Sequence, residues 1–344
     1  MPLTTRRKFW IGGAAIAAAA ALETQHLLHR PRHHLETDGK TRSLRIAWPD
    51  SDTDPLLMLA QDGEFGQFGL DVTIINAANG DAAIDAVTQG RADAAVAPLL
   101  AWIPRLRDAP SGQLPARLLC GLRGGSYRLL VNRHLPIHRV SDLAGRNIGV
   151  YRLDGADRRF LGIRLRRRSM NPDQGVNWVQ IPPNELDDAF LAGRVDALVV
   201  HDPLGWRIMR ETKGQSWDML DSMTGAERER VDQCLGIAST RLEADPGLAP
   251  ALILALRAAA HNWPQQKNEI ARQLAEMPDP IPDPRAMLDR EIAPHIVLGH
   301  DLMVQVAEYT DELKLIGQIP NERRSMALAH ELCVPPPEPT PDAG

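Results

Sequence analysis

The stretch Asp81-Ala-Ala-Ile-Asp-Ala-Val-Thr-Gln-Gly90-Arg-Ala-Asp93-Ala-Ala-Val-Ala-Pro98 returns later in the chain as Glu185-Leu-Asp-Asp-Ala-Phe-Leu-Ala-Gly193-Arg-Val-Asp196-Ala-Leu-Val-Val-His201-Asp202-Pro203. Each version reads as a helix, a Gly-Arg-x-Asp-Ala turn, a short apolar strand and a proline. Gly90 and Gly193 fit the left-handed position just past a helix end, which a residue without a Cβ adopts freely. Residues 94–97 and 197–200 are short and wholly apolar, the signature of strands buried on both faces. Pro98 and Pro203 end each ladder because proline has no N–H to donate. A further strand precedes each version, at 72–75 and 178–181. Two β-α-β units without more copies are too few for a solenoid. They predict an α/β protein of two similar lobes facing each other across a cleft, with ligand at the carboxyl ends of the strands.

Working outward, the composition fits that reading. The chain has 344 residues, 44% hydrophobic and 24% charged, enough for two packed lobes. A net charge of −5 argues against a nucleic-acid partner or an anionic membrane surface. Arg164, Arg166, Arg167 and Arg168 read as a solvated helix face. Cys120, Cys234 and Cys333 lack metal-site spacing and read as buried or free thiols. At the amino end, Thr5-Arg6-Arg7-Lys8-Phe9 precedes a weakly apolar Ala/Gly-rich run, a twin-arginine export pattern. That run is too short to span a bilayer, and no cysteine follows it to accept a lipid. Residues 1–21 are therefore expected to be a signal peptide and 22–43 a histidine-bearing linker. A proline-rich tail is expected at 334–344.

Between these ends the chain reads in order as strands at 44–48, 70–75, 94–97, 117–122, 128–131, 146–151, 178–181, 197–200 and 233–240. Helices are expected at 56–63, 81–89, 137–143, 160–170, 248–263, 265–277 and 300–315. The boundaries predict a first lobe over 44–132, a second over 133–234 and a helical return to the first over 235–333. The crossings would fall at 132–134 and 234–236 and act as a hinge. The loops at strand ends supply the candidate binding residues: Trp48, Asp50, Asn79, Gly80, Asp81, Pro98, Ser126, Tyr151, Asp154, Gly155, His201 and Asp202. Asn79 or Asp81 can cap a helix, and such a helix start also suits an anion.

The order Pro49-x-x-Asp52-x-x-Pro55, Gly63-x-Phe65 and Gly69-Leu-Asp-Val72 resembles the periplasmic solute-binding proteins of nitrate, bicarbonate and sulfonate ABC importers. Asn171-Pro-Asp, Val176-Asn-Trp-Val-Gln-Ile-Pro-Pro183, Gly193-x-x-Asp196-Ala, His201-Asp-Pro-x-x-Trp206 and Ala260-x-x-Trp263-Pro-Gln-Gln-Lys-Asn268 are similar to the nitrate/bicarbonate branch. Short motifs are individually weak, and their collinear order over roughly 44–332 carries the resemblance. It implies a type II two-lobed, hinged binding fold, without catalysis or cofactor. The partners implied are a small-molecule ligand and a membrane permease with its ATPase; a periplasmic monomer is expected. The chain departs from the pattern at His201-Asp202-Pro203-Leu204, where the branch carries Gly-Lys-Pro-Trp or Gly-Glu-Pro-Trp. Turned inward and ionised, Asp202 would disfavour a lone anion and favour a cation, an amine or an anion with a metal. No aromatic residue stands where the pattern has one before Pro98, and Trp102 is left as a substitute. An enzyme on the same fold, of the thiamin-pyrimidine or menaquinone-precursor type, and a ligand sensor are the alternatives.

Overall fold

The computed structural model describes residues 39–110, 112–291 and 293–335. The expected signal peptide, most of the linker and nearly all of the tail lie outside the described residues.

The apolar runs form two five-stranded sheets. In the first, β1 (Arg42–Pro49) lies parallel between β2 (Leu70–Ala77) and β3 (Ala94–Pro98). β4 (Ala116–Arg123) forms the far edge. In the second, β6 (Asn147–Val150) lies parallel between β7 (Asn177–Gln180) and β8 (Ala197–His201), with β5 (Tyr127–Asn132) and then β9 (Ser216–Asp221) beyond. β10 (Gln233–Ala238) inserts antiparallel between β3 and β4, as β5 does between β8 and β9. The orders β2-β1-β3-β10-β4 and β7-β6-β8-β5-β9 are thus one pattern used twice. This is the two-lobed α/β fold expected from the repeated stretch. β3 and β8 are buried apart from their last residues, as predicted for central parallel strands.

The helices are α1 (Pro55–Leu59), α2 (Gly80–Thr88), α3 (Leu99–Leu106), α4 (Ala156–Arg166), α5 (Leu186–Leu191), α6 (Leu204–Glu211), α7 (Ser239–Ala244), α8 (Leu248–Glu276), α9 (Pro284–Arg290), α10 (Gly299–Leu315) and α11 (Ser325–Leu332). Gly90 and Gly193 have φ of 71° and 69°, the left-handed geometry assigned to them from sequence. Asp54 caps α1 by accepting from Leu56 N at 3.0 Å and Leu57 N at 3.1 Å. The separate helices expected at 248–263 and 265–277 are one helix, α8, which runs through Pro264. Its face carrying Leu252, Leu256, Trp263, Ile270 and Leu274 stays buried on both sides of the proline, and this packing offsets the lost backbone hydrogen bond. α10 packs against α3 of the first lobe and α4 of the second, and one apolar core includes residues of both lobes.

The crossings differ from those expected. β5 belongs to the second sheet, so the chain leaves the first lobe at 124–126, ahead of 132–134. It returns over 222–232, ahead of 234–236. The two crossing segments run side by side. Asp232 Oδ2 accepts from Ser126 N at 2.8 Å and from Ser126 Oγ at 2.7 Å. A Cβ on Gly124 would lie 1.7 Å from the Arg230 carbonyl oxygen, so only glycine permits this approach.

Candidate functional site

The carboxyl ends of β1, β3, β6 and β8 meet where the two lobes touch. The first turns of α2 and α4 enter the same space. Asn79 caps α2 by accepting from Ala82 N through Oδ1 at 2.9 Å, which leaves its Nδ2 to donate across the cleft to Tyr151 Oη at 3.3 Å. Gly80 is needed for close packing, since a Cβ there would come within 2.5 Å of Pro98 Cδ. Asn79, Gly80, Asp81 and Pro98 from the first lobe, with Tyr151, Arg152, Gly155, Asp157 and His201 from the second, enclose a cavity of about 30 Å³. That is room for about one or two water-sized groups. Arg159 adds a further link by donating to the Leu100 carbonyl at 2.9 Å.

The cavity is edged by an alternating row of charges. His201 Nδ1 lies 3.2 Å from Asp157 Oδ1, and His201 Nε2 lies 3.7 Å from Asp50 Oδ2 of the other lobe. Burial alone would lower the imidazole, but Asp157 and Asp50 outweigh it and hold His201 well above the usual imidazole range. Burial raises Asp50, and His201 together with Arg123 more than offsets it, so Asp50 stays below its ordinary value. Asp81 is 8% exposed. Burial raises its carboxyl above the usual range despite Arg159 and Arg152. Asp50 also borders a wider groove of about 410 Å³ shared with Asp187, Arg207, Glu211 and Asp279. The Asp50–His201 contact therefore joins the inner cavity to the outer groove.

Of the residues singled out from sequence, Asn79, Gly80, Asp81, Pro98, Tyr151, Gly155 and His201 line this cavity, and Asp50 reaches it through His201. Four do not line it. Trp48 is 1% exposed in the apolar core of the first lobe. Ser126 ties the crossing segments together. Asp154 is mostly exposed and paired with Arg152, Nε to Oδ1 at 3.0 Å and Nη2 to Oδ2 at 2.8 Å. Asp202 lies outside this cavity as well. Its carboxylate accepts two hydrogen bonds of 2.6 Å from the buried Arg128 and one of 2.9 Å from Trp206 N. Arg128 sits opposite Val200 on the neighbouring strand β5, and that pairing brings its guanidinium to the carboxylate. Asp202 instead borders a smaller pocket of about 10 Å³ with Arg123, Gly124 and Ser126. Trp102 does not reach the cavity either; it is buried and donates to the Cys234 carbonyl at 3.1 Å.

Sequence reasoning missed Arg152 and Asp157. Asp157 sits in the helix between β6 and β7, outside the repeated stretch, so comparing the two repeats could not have found it; its only sequence signal is its place in the first turn of a helix. The basic run of α4 is engaged in ion pairs, with Arg164 to Glu227 at 2.8 Å and, just beyond, Arg167 to Glu312 at 2.6 Å. Cys120, Cys234 and Cys333 are free and buried. Burial pushes the Cys120 thiol up to about 12, leaving no reactive thiolate. Among the described residues no cluster of three His, Cys, Asp or Glu could hold a metal ion, and no helix is long and apolar enough to cross a membrane.

The family model described as NMT1-like family matches residues 37–277. No curated protein matches the sequence. Among solved structures, the alkanesulfonate-binding protein SsuA from Xanthomonas axonopodis pv. citri, bound to MOPS, has a TM-score of 0.69 at 15% identity, over 84% of this chain and 98% of that one. The periplasmic aliphatic sulphonate-binding protein SsuA from Escherichia coli has a TM-score of 0.68 at 16% identity, over 86% and 92%. The periplasmic nitrate-binding protein NrtA from Synechocystis PCC 6803 has 0.65 at 13%, over 85% and 86%. At such identities the likeness is one of fold.

Proposed function

This chain belongs to the NMT1-like family, and we propose that it is a non-catalytic solute-binding protein that captures a small polar molecule between its lobes and delivers it to a membrane permease with its ATPase. The observation that carries this reading is the Asn79–Tyr151 hydrogen bond, which closes one lobe on the other over a cavity entered by a helix start from each. Among the described residues the cavity wall offers Tyr151 as its one hydroxyl, with no serine, threonine or cysteine to act as a nucleophile. That favours binding over covalent catalysis. The solved proteins of the same fold include sulfonate- and nitrate-binding ones, which supports import as the setting. Export by the twin-arginine route to the periplasm, without a lipid anchor, and a monomeric state complete the proposal. Replacing Arg6 and Arg7 by lysine should then hold the precursor in the cytoplasm, and undiminished export would remove that part.

The binding reading is tested by a thermal-shift screen of nitrate, bicarbonate, methanesulfonate, small amines and pyrimidines, because a ligand that binds the native state raises its midpoint. Calorimetry on Asn79→Ala and Tyr151→Phe then locates the site. Both variants should weaken any confirmed ligand about tenfold or more, the loss of roughly one hydrogen bond to a buried group. A ligand held equally by wild type and both variants lies outside this cleft and ends the proposal.

A further inference from the structure

The cleft reading above leaves the charge of the ligand open, and the disposition of Asp81 narrows it. Asp81 lines the cavity with its side chain nine-tenths buried. No donor among the described residues makes a hydrogen bond to it, and its neighbours make other contacts. The helix cap, which an aspartate in the first turn might have served, is already made by Asn79 to Ala82 N. Arg152 is its nearest ion-pair partner among the described residues, with Nε 3.8 Å away, beyond hydrogen-bond distance, and Arg159 and Arg105 act on it from further off. Its Nε and Nη2 donate instead to Asp154. Arg159 spends a donor on the Leu100 carbonyl. Asp157, the other first-turn carboxylate lining the cavity, has His201. Around the cleft the carboxylates Asp50, Asp81, Asp154 and Asp157 face the cations Arg105, Arg152, Arg159 and His201; Asp154 and Asp157 have hydrogen-bonded partners, Asp50 has only an ionic contact of 3.7 Å to His201, and Asp81, the more buried of these two, accepts no hydrogen bond among the described residues. A desolvated carboxylate in this position is costly unless something with N–H donors and positive charge meets it. A metal ion would need more ligands than this wall provides.

We propose that Asp81 is the specificity-determining residue of the cleft and that the ligand presents to it a compact organic nitrogen cation, an ammonium or amidinium group. The inference rests on the cleft being the binding site. It moves to Asp81 the selection against lone anions that the sequence alone assigned to Asp202. The cavity of about 30 Å³ fits only a small head group, and the Tyr151 hydroxyl and His201 beside it supply polar contacts to the rest of the ligand.

The test uses methylammonium and acetamidinium as cationic probes, with nitrate and methanesulfonate as anionic ones, on wild type, Asp81→Asn and Tyr151→Phe. The cations should raise the wild-type midpoint and the anions should not. Asp81→Asn should lose at least tenfold in cation affinity. Binding should also weaken as pH falls and the Asp81 carboxylate, already raised by burial, takes up a proton. Without ligand, Asp81→Asn should unfold at the same temperature as wild type or a higher one, because burial of the carboxylate outweighs its long ion pair with Arg152. A lower midpoint for ligand-free Asp81→Asn makes Asp81 a structural residue and overturns the inference. So does the absence of any shift with both cations. Anion binding that is indifferent to Asp81→Asn yet weakened by Tyr151→Phe overturns the cation inference and leaves the cleft in place. Cation binding indifferent to both variants removes the cleft reading itself.

Discussion

Asp202 and Arg128 hold each other through two hydrogen bonds inside the second lobe, where Arg128 is 1% exposed. Arg128 also pairs with Asp218, whose carboxyl burial raises to about 6 despite the arginine. Losing Asp202 would leave a buried guanidinium with part of its field unmatched. Asp202→Asn should therefore cost about 3 kcal/mol, the low end expected for breaking a buried pair, because Asp218 and Asp221 remain. Urea denaturation measures this, and ligand affinity of the folded variant should be unchanged. A fully stable variant with weakened ligand binding would return Asp202 to the site. His201 gives the pH dependence. Its folded value is raised by Asp157 and Asp50, so its contribution is complete below the ordinary imidazole value of about 6.5 and is lost as pH rises through the folded value. The wild-type midpoint should fall over that rise, and His201→Gln should flatten the fall; parallel curves would show that the row contributes nothing. At this scale, residues fixed by backbone position, such as Asn79, Gly80 and Gly155 at helix starts, were legible in the sequence. The Arg128 partner of Asp202 was not legible, because it stands across a strand pairing that no local spacing reveals.

Among the elements, the repeat was legible down to the left-handed glycines, since helix ends and buried strands are written in short-range pattern. β9 was not. Its sequence, Ser-Trp-Asp-Met-Leu-Asp, is polar at the edge of a sheet and only half-buried, so its pairing with β5 shows no apolar run. α3 was not read from the sequence: it starts directly after Pro98, the residue taken to end the strand, and it carries Pro104 inside it. β10 illustrates how tightly these elements are fitted. Gly236 lies over the Trp102 ring, and a Cβ there would come within 2.5 Å of its Cζ2. Gly236→Ala should cost about 1–3 kcal/mol, the usual range for overpacking a rigid core. A calorimetric scan checks it, and an unchanged midpoint would show that the Trp102 ring moves aside freely.

For the whole molecule, a cavity of about 30 Å³ closed by contacts between lobes cannot admit a ligand unless the lobes part. The crossings at 124–126 and 222–232 are the segments that would bend. α10 sets the limit, because it packs on a helix of each lobe, and Glu312 accepts from both Arg167 at 2.6 Å and Arg230 at 2.8 Å. Small-angle scattering with a ligand confirmed by the screen should show a smaller radius of gyration than the free protein. Equal radii would argue against hinge closure. The two-lobed plan and its return segment could be inferred from sequence. The place of each crossing could not, because β5 reads equally well as the last strand of one lobe or the first paired strand of the next.

The exchange of β5 and β10 between sheets also bears on the order in which the protein can be made. The second sheet is built from one continuous stretch, β5 to β9, so it can be complete as soon as that stretch has left the ribosome. The first sheet cannot. β3 and β4 are synthesised early, but β10, buried at all six of its residues between them, arrives only after the whole second lobe. Until then the first lobe carries two open strand edges in its centre, the kind of surface that nascent chains hand to chaperones or lose to aggregation. A chain that has emerged only as far as Asp232 would carry the second sheet complete and the first one unfinished. Release into a folded state thus waits on six residues two-thirds of the way along the chain.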